Sequence, residues 1–328
     1  MATTFVSGVT FGASMLAAGF HHPSIVVSQL KFDNWHMVQT FMTATAGSAA
    51  IYTVLERLAY LSLTPRSNSP LSLFSKYDGN IIGGSMLGIG MALSGACPGT
   101  LVVQMGAGVS AGYLSFLGAV AGGIIWSGYL SGAVKRRNDK EGTRTEINTL
   151  MDQTGLPRMA AFCLFEAAAL ALVGVTTVYT PAASEPEILG IVGGLLIAGA
   201  QLVSMLSRRS MLGISGSYEE MGKLFWWAVA GADPVDKPGH GNILFSMGVL
   251  SGAYLLGRIM PELVGAPASE PSPVLAVAGG ILMVIGSRTA GGCTSGHGIS
   301  GLSLLSTSSV VTIASAFAAG RLVATVAL

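Results

Sequence analysis

The sequence predicts an all-α polytopic membrane protein. Its duplicated halves combine full transmembrane helices with re-entrant half-helix hairpins in an hourglass-like arrangement. Three observations predict it: a composition too apolar for a watery surface, a series of windows long enough to cross a bilayer, and a gapless internal repeat.

Hydrophobic residues make up 51% of the 328 and charged residues only 10%, against about 25% charged in an average soluble domain. So few charges cannot cover a solvated surface, so most of the outside faces lipid. The 45 glycines, about twice average usage, suit helices packed closely through small faces. A net charge of +1 gives no field for nucleic acid, so no nucleic-acid partner is expected. The three cysteines are an odd count with neither a CxxC nor a zinc spacing, so no disulfide framework and no metal are expected. There is no nucleotide-binding loop, and no cofactor is expected. Residues 1–20 lack Lys and Arg and read as a first span that stays rather than a cleaved signal.

A crossing needs about 20 apolar residues. Full spans are expected at 3–20, 38–62, 111–134, 158–180, 188–207, 242–262 and 308–326. Residues 22–36 and 209–231 are too polar or too short to cross. Residues 80–109 and 274–307 are apolar but cut in the middle by Gly, Pro, Ser and Cys. All four read as re-entrant hairpins of two half-helices, tolerated at membrane depth only where protein or a watery cavity satisfies the backbone.

Loop 135–157 holds Lys135, Arg136, Arg137, Lys140 and Arg144, and the positive-inside rule places it in the cytoplasm. Three full spans precede it, so the N-terminus is expected outside. Loop 181–187, with Glu185 and Glu187, and segment 263–273, with Glu270, then also fall outside, while Arg208 and Arg209 fall inside. Arg66 and Lys76 are exceptions, in an outer loop. On this topology 80–109 and 274–307 dip in from outside, and 22–36 and 209–231 from the cytoplasm.

GGSMLGIGMALSGACPG (83–99) aligns without a gap to GGILMVIGSRTAGGCTS (279–295), a constant shift of 279 − 83 = 196. Cys97 matches Cys293, and Gly83, Gly84, Gly90 and Gly95 match Gly279, Gly280, Gly286 and Gly291. The repeat divides the chain into a first membrane repeat (1–134), a cytoplasmic loop with a linking span (135–187) and a second repeat (188–328). Three spans plus one linking span return the chain to its starting side, so the repeats are expected to be parallel, with a site at their interface.

Each hairpin tip carries a cysteine. Pro98 cannot continue the helix before it but can start the next, and Gly95 and Gly99 permit the tight turn. After each tip, a half-helix begins with unpartnered N–H groups and a positive dipole end, an anion site without a formal charge. Gly99 and Gly296 belong to these first turns, and Thr100 and Ser295 add hydroxyl donors. Two thiols, weak donors and weak acceptors, offer a soft contact for a sulfur atom and hold it loosely enough to release it.

The plainer readings are that a buried Cys is a small core residue, as for Cys163, and that Arg288 is a clasp on backbone carbonyls rather than a functional membrane charge. His297 reads either as a solvated turn residue or as a helix-start donor. His21 and His22 read as an interfacial pair, Glu166 as internally paired or as a proton relay, and the Gly8/Gly12 and Gly118/Gly122 pairs as packing signals.

The tip motifs Ser94-Gly-Ala-Cys-Pro-Gly-Thr100 and Arg288-Thr-Ala-Gly-Gly-Cys-Thr-Ser-Gly-His-Gly-Ile-Ser-Gly301 resemble the signature of the YeeE/YedE sulfur-transport family, and the similarity runs over essentially the whole chain. The resemblance implies an hourglass-shaped membrane protein that takes up thiosulfate or a related sulfur compound, with the tip cysteines, here Cys97 and Cys293, passing the anion along by weak hydrogen bonds. Bacterial members often carry a further cysteine in the first short hairpin, on the cytoplasmic side. HHPSIVVSQLKF has none, leaving Ser24 or Ser28 as hydroxyl substitutes.

The expected function is therefore non-enzymatic transport of a small sulfur-containing anion through a narrow pore, in the plasma membrane, with the lipid bilayer as the other partner. The pathway candidates are Cys97, Cys293, Thr100, Ser295, Gly99, Gly296, His297 and Arg288. The alternatives are a membrane sulfurtransferase forming a cysteine persulfide and a general small-anion channel. The sequence does not define the oligomeric state.

Overall fold

The computed structural model describes residues 1–180, 188–231, 236–265 and 270–326. The outer-loop reading of Glu185 and Glu187 lies outside them. The helices are α1 (Ala2–Ala17), α2 (Pro23–Lys31), α3 (His36–Arg57), α4 (Asp78–Ser94), α5 (Thr100–Ala107), α6 (Ser110–Ile125), α7 (Ser131–Glu141), α8 (Leu150–Thr154), α9 (Arg158–Tyr179), α10 (Gly190–Arg208), α11 (Gly216–Ala230), α12 (Gly241–Ile259), α13 (Pro273–Thr289) and α14 (Thr307–Val326). A π-type turn at Trp126–Leu130 joins α6 to α7, and another at Ser295–Gly301 precedes α14. No strand occurs among the described residues. Five helices are long and apolar enough to cross a bilayer: Ser110–Glu141, α9, α10, α12 and α14. Each of the seven expected spans falls on a helix.

Small residues decide which helices touch. Gly8 and Gly12 of α1 lie against Gly248 and Val249 of α12, where a Cβ on Gly12 would come within 2.0 Å of the Val249 carbonyl. Gly118 and Gly122 of α6 meet the carbonyls of Val277 and Ile281 on α13. Gly84 and Gly88 of α4 meet those of Thr312 and Ala316 on α14. The main packing pairs come in matched sets: α1 on α12 with α3 on α10, and α6 on α13 with α4 on α14. Helix α9 packs on α3.

These contacts also fix the sense of each helix. An axis along the helices would lay Gly83 beside its counterpart Gly279. Instead Gly83 meets Gly286 and Gly90 meets Gly279, so α4 and α13 run antiparallel. Helices α1 and α10 are antiparallel too, with the Ser14 hydroxyl on the Leu196 carbonyl and Ala18 against Gly193. The halves are therefore inverted relative to each other, and the expectation of parallel repeats is corrected.

The reason is one additional crossing. Helix α4 is not a half-helix; it runs the full length of α13 and starts on the face of the charged loop. Ser67 pairs with Ile147 there, Lys76 with Glu146 at 3.3 Å, and Asp78 caps Leu71 and Leu73. Hydrogen bonds from Asn148 and then Lys76 hold the exposed Glu146 carboxyl below its usual range. Helix α5 ends on the opposite face, where Glu270 accepts from the N–H groups of Ser110 and Ala111. Four passages (α1, α3, α4 with α5, α6) thus precede loop 142–157, and Met1 lies on the loop's face, not opposite it. An even half followed by the single span α9 inverts the second half. Arg66 and Lys76 cease to be exceptions, because both lie on the charged-loop face.

Other expectations change with it. The Cys97 break opens toward the face opposite the loop and the Cys293 break toward the loop, so the two do not enter from one side. His21 and His22, with ring centroids 4.0 Å apart, lie by Val264 and Gly265 on the opposite face. Cys163 is exposed on α9 and is not a core residue. Glu166 Oε1 has no hydrogen-bond partner among the described residues, so internal pairing is not seen there.

Candidate functional site

Four breaks in the helices converge at the centre. Helix α4 ends at Gly95, whose φ of +59° is a left-handed conformation that glycine adopts without strain. The chain then doubles back, and the Gln104 side chain donates to the Gly95 carbonyl at 2.9 Å. Cys97 sits in this turn, 1% exposed. Its N–H donates to the Thr100 hydroxyl at 2.6 Å, and the Thr100 N–H points at its sulfur at 3.4 Å. Thr100 therefore closes its own turn. Gly99 lies between Met15, Ile214 and the Cys97 sulfur.

After α13 the matching glycine, Gly291, has φ +82°, and Cys293 follows, fully buried. Its sulfur lies 3.3 Å from the Ser295 hydroxyl. It is also approached by the backbone N–H groups of Ile214 and Gly296 and by the Ser215 hydroxyl. Two elements with no local link thus surround one thiol with donors. The breaks touch each other as well. Pro23 abuts Gly95, Tyr218 donates to the Pro98 carbonyl at 2.6 Å, and Thr294 lies beside the Cys97 thiol. The Thr294 hydroxyl makes no hydrogen bond of normal geometry. Cys97, Thr294 and Gln29 share the wall of a largely apolar void of about 40 Å³.

A larger cavity lies on either side. One, about 470 Å³, opens on the charged-loop face and is walled by Arg66, Arg208, Arg288, Ser215, Gly292 and Gly296. The other, about 390 Å³, lies on the opposite face with Ser24, Ser28, Lys31, Asp33 and Glu270. Ser24 and Ser28 are thus on the face opposite the loop, not on its side. Neither Cys97 nor Cys293 lines either of these cavities.

The remaining candidates separate. Arg288 is ion-paired with Glu219 and does not clasp carbonyls. His297 is fully buried and braced between the Ser309 hydroxyl at 2.9 Å and the Ala290 carbonyl at 3.1 Å. It is not a solvated turn residue. The clasp falls to Arg66, which donates to the Gly296 carbonyl at 2.6 Å and the Gly291 carbonyl at 2.9 Å. Arg66 was legible only as an odd charge in a supposed outer loop. Tyr218 and Ile214 carried no signal, because their part depends on a hairpin meeting the other breaks.

Residues 17–322 match the family described as sulphur transport. The chain belongs to the sulphur transport family. Over 321 residues it is 24% identical to the thiosulfate transporter TsuA of Spirochaeta thermophila, covering 94% of this chain and 93% of that protein. Two proteins of Xylella fastidiosa strains, each named a probable transporter, are 32% and 30% identical over 135 residues, which is 41% of this chain and 90% of each relative.

Proposed function

We propose that this family member carries a thiosulfate-like anion across the cell membrane through the waist between its two cavities, with the Cys97 thiol on the outer side and the Cys293 thiol on the inner. The observation that carries the reading is the convergence of both cysteine turns between a cavity on each face. The charged-loop face is the cytoplasmic one by the positive-inside rule. The four breaks act as re-entrant tips, two from each face, and their irregular backbone is satisfied inside protein, as membrane depth requires. The repeats run over 1–134 and 188–328 with 135–187 as the link, and relatives of about half this length support that division.

Thiosulfate suits the turns on two counts. Its oxygens match the N–H and hydroxyl groups around Cys293, and its terminal sulfur matches a polarisable thiol. Passage needs a local opening, since Cys97 and Cys293 are 1% and 0% exposed. Ser215 and Ser295 would take the anion from the inner thiol. The protein acts without forming a lasting sulfur adduct.

Uptake of labelled thiosulfate into proteoliposomes tests this. Cys97→Ala and Cys293→Ala should each reduce uptake at least about tenfold, the loss of a pathway contact made at the barrier. Undiminished uptake in the double variant would sink the proposal. A persistent persulfide on Cys293 after thiosulfate exposure would turn it into a sulfurtransferase.

A further inference from the structure

The cavity on the charged-loop face is unlike its counterpart. Three guanidinium groups, Arg66, Arg208 and Arg288, face it, and no carboxylate residue lines it among the described residues. The opposite cavity balances Lys31 against Asp33 and Glu270. The inversion that relates the halves therefore does not extend to charge.

Each arginine is positioned by the protein, yet each has donors left over. Arg66 uses Nε and Nη1 on the Gly296 and Gly291 carbonyls. Arg208 uses Nε on the Ser204 hydroxyl and Nη2 on the Met211 carbonyl, and its guanidinium lies over the Phe245 ring, 4.4 Å from the centroid. A guanidinium has five N–H donors, so each keeps some free. Neither has a carboxylate partner among the described residues. Arg288 shares Glu219 with Lys223, and its buried Nε has no hydrogen-bond partner among the described residues. Like charges lining one cavity repel one another. A small doubly charged anion relieves that repulsion and takes up the free donors, which a monovalent or neutral solute does less well. The cavity adjoins the Cys293 turn through Gly292 and Gly296.

We infer that Arg66, Arg208 and Arg288 form a holding site for a small divalent oxyanion on the cytoplasmic side of the waist, with Glu219 competing for Arg288 and so limiting its affinity. The inference rests on the reading of the chain as an anion pathway, but not on the cysteines. Attraction toward the inner face draws the anion past the waist, and Glu219 keeps the site loose enough to empty.

Equilibrium binding of labelled thiosulfate and labelled sulfate to the purified full-length protein in nanodiscs tests it. Arg66 is left intact because it also clasps the Cys293 turn. Arg208→Gln should weaken both anions about tenfold, the effect of a charged hydrogen bond, and Arg208→Lys should restore part of the loss. Glu219→Gln should tighten binding several-fold. The Cys97→Ala, Cys293→Ala double variant should still bind within about twofold of the original protein, which separates this site from the cysteine pathway. Binding unchanged in both Arg208→Gln and Arg288→Gln would overturn the inference, as would no saturable binding to the original protein or loss of binding in the cysteine double variant alone.

Discussion

Gly83 faces Gly286 across the contact of α4 with α13. A Cβ on Gly83 would stand 2.5 Å from the Gly286 carbonyl oxygen, and one on Gly286 would stand 2.6 Å from that of Gly83. This reciprocal contact lies where the two halves cross, and its antiparallel sense makes them inverted copies. Gly83→Ala or Gly286→Ala should each destabilise the protein by about 1–3 kcal/mol, the usual cost of overpacking. Gly199→Ala is the control, since nothing lies within 4 Å of a Cβ there. Thermal unfolding of the purified protein should fall for the first two and hold or rise for the third, because alanine favours helix.

The same inversion fixes the sidedness of the ends. Reporter fusions at Met1 and within 135–141 should report the cytoplasm, and a fusion after Val326 should report the outside. A C-terminal reporter on the loop's side would remove the inverted arrangement.

The cysteines should differ in their exposure to each face. In a Cys163→Ala background, a membrane-impermeant thiol reagent added outside should slow transport only where Cys97 is present. Added to the inner face of inverted vesicles, it should act through Cys293. Equal reactivity of both from one face would restore the single-sided arrangement.

His297 braces the Cys293 turn through both ring nitrogens. Its Nε2 donates to the Ala290 carbonyl, so its Nδ1 accepts from Ser309. His297→Ala leaves the buried Ser309 hydroxyl without its acceptor and removes one of the two donors to the Ala290 carbonyl, which keeps Asn80, and should cost about 1–3 kcal/mol. The Tm should drop while the KM for the transported anion stays near its original value. A changed KM with an unchanged Tm would place the ring in the pathway instead.

The membrane class, the five long apolar spans, the four breaks and the paired cysteines were all legible in the sequence. Composition and periodicity are local properties, and a repeat announces itself by residue identity. Its sense was not legible. Whether 80–109 holds two half-helices or the near-complete span α4 plus the short α5 depends on Asp78 capping Leu71 and Leu73 at one end and on Gly95 turning the chain back at the other. That single crossing decides between parallel and inverted halves. It also moves Arg66 from a misplaced outer charge to the clasp of the Cys293 turn.

The sequence alone determined that two cysteines sit in matching glycine-rich turns of a duplicated membrane protein, because the shift of 196 between Gly83 and Gly279 is written in the chain. Only the tertiary structure decided that the turns meet from opposite faces and that Ile214, Ser215 and Tyr218 complete their surroundings. It also decided that three arginines gather on one side. Those relations depend on helices approaching through glycine faces, and the geometry of such contacts is set by the partner's backbone, which sequence spacing does not encode.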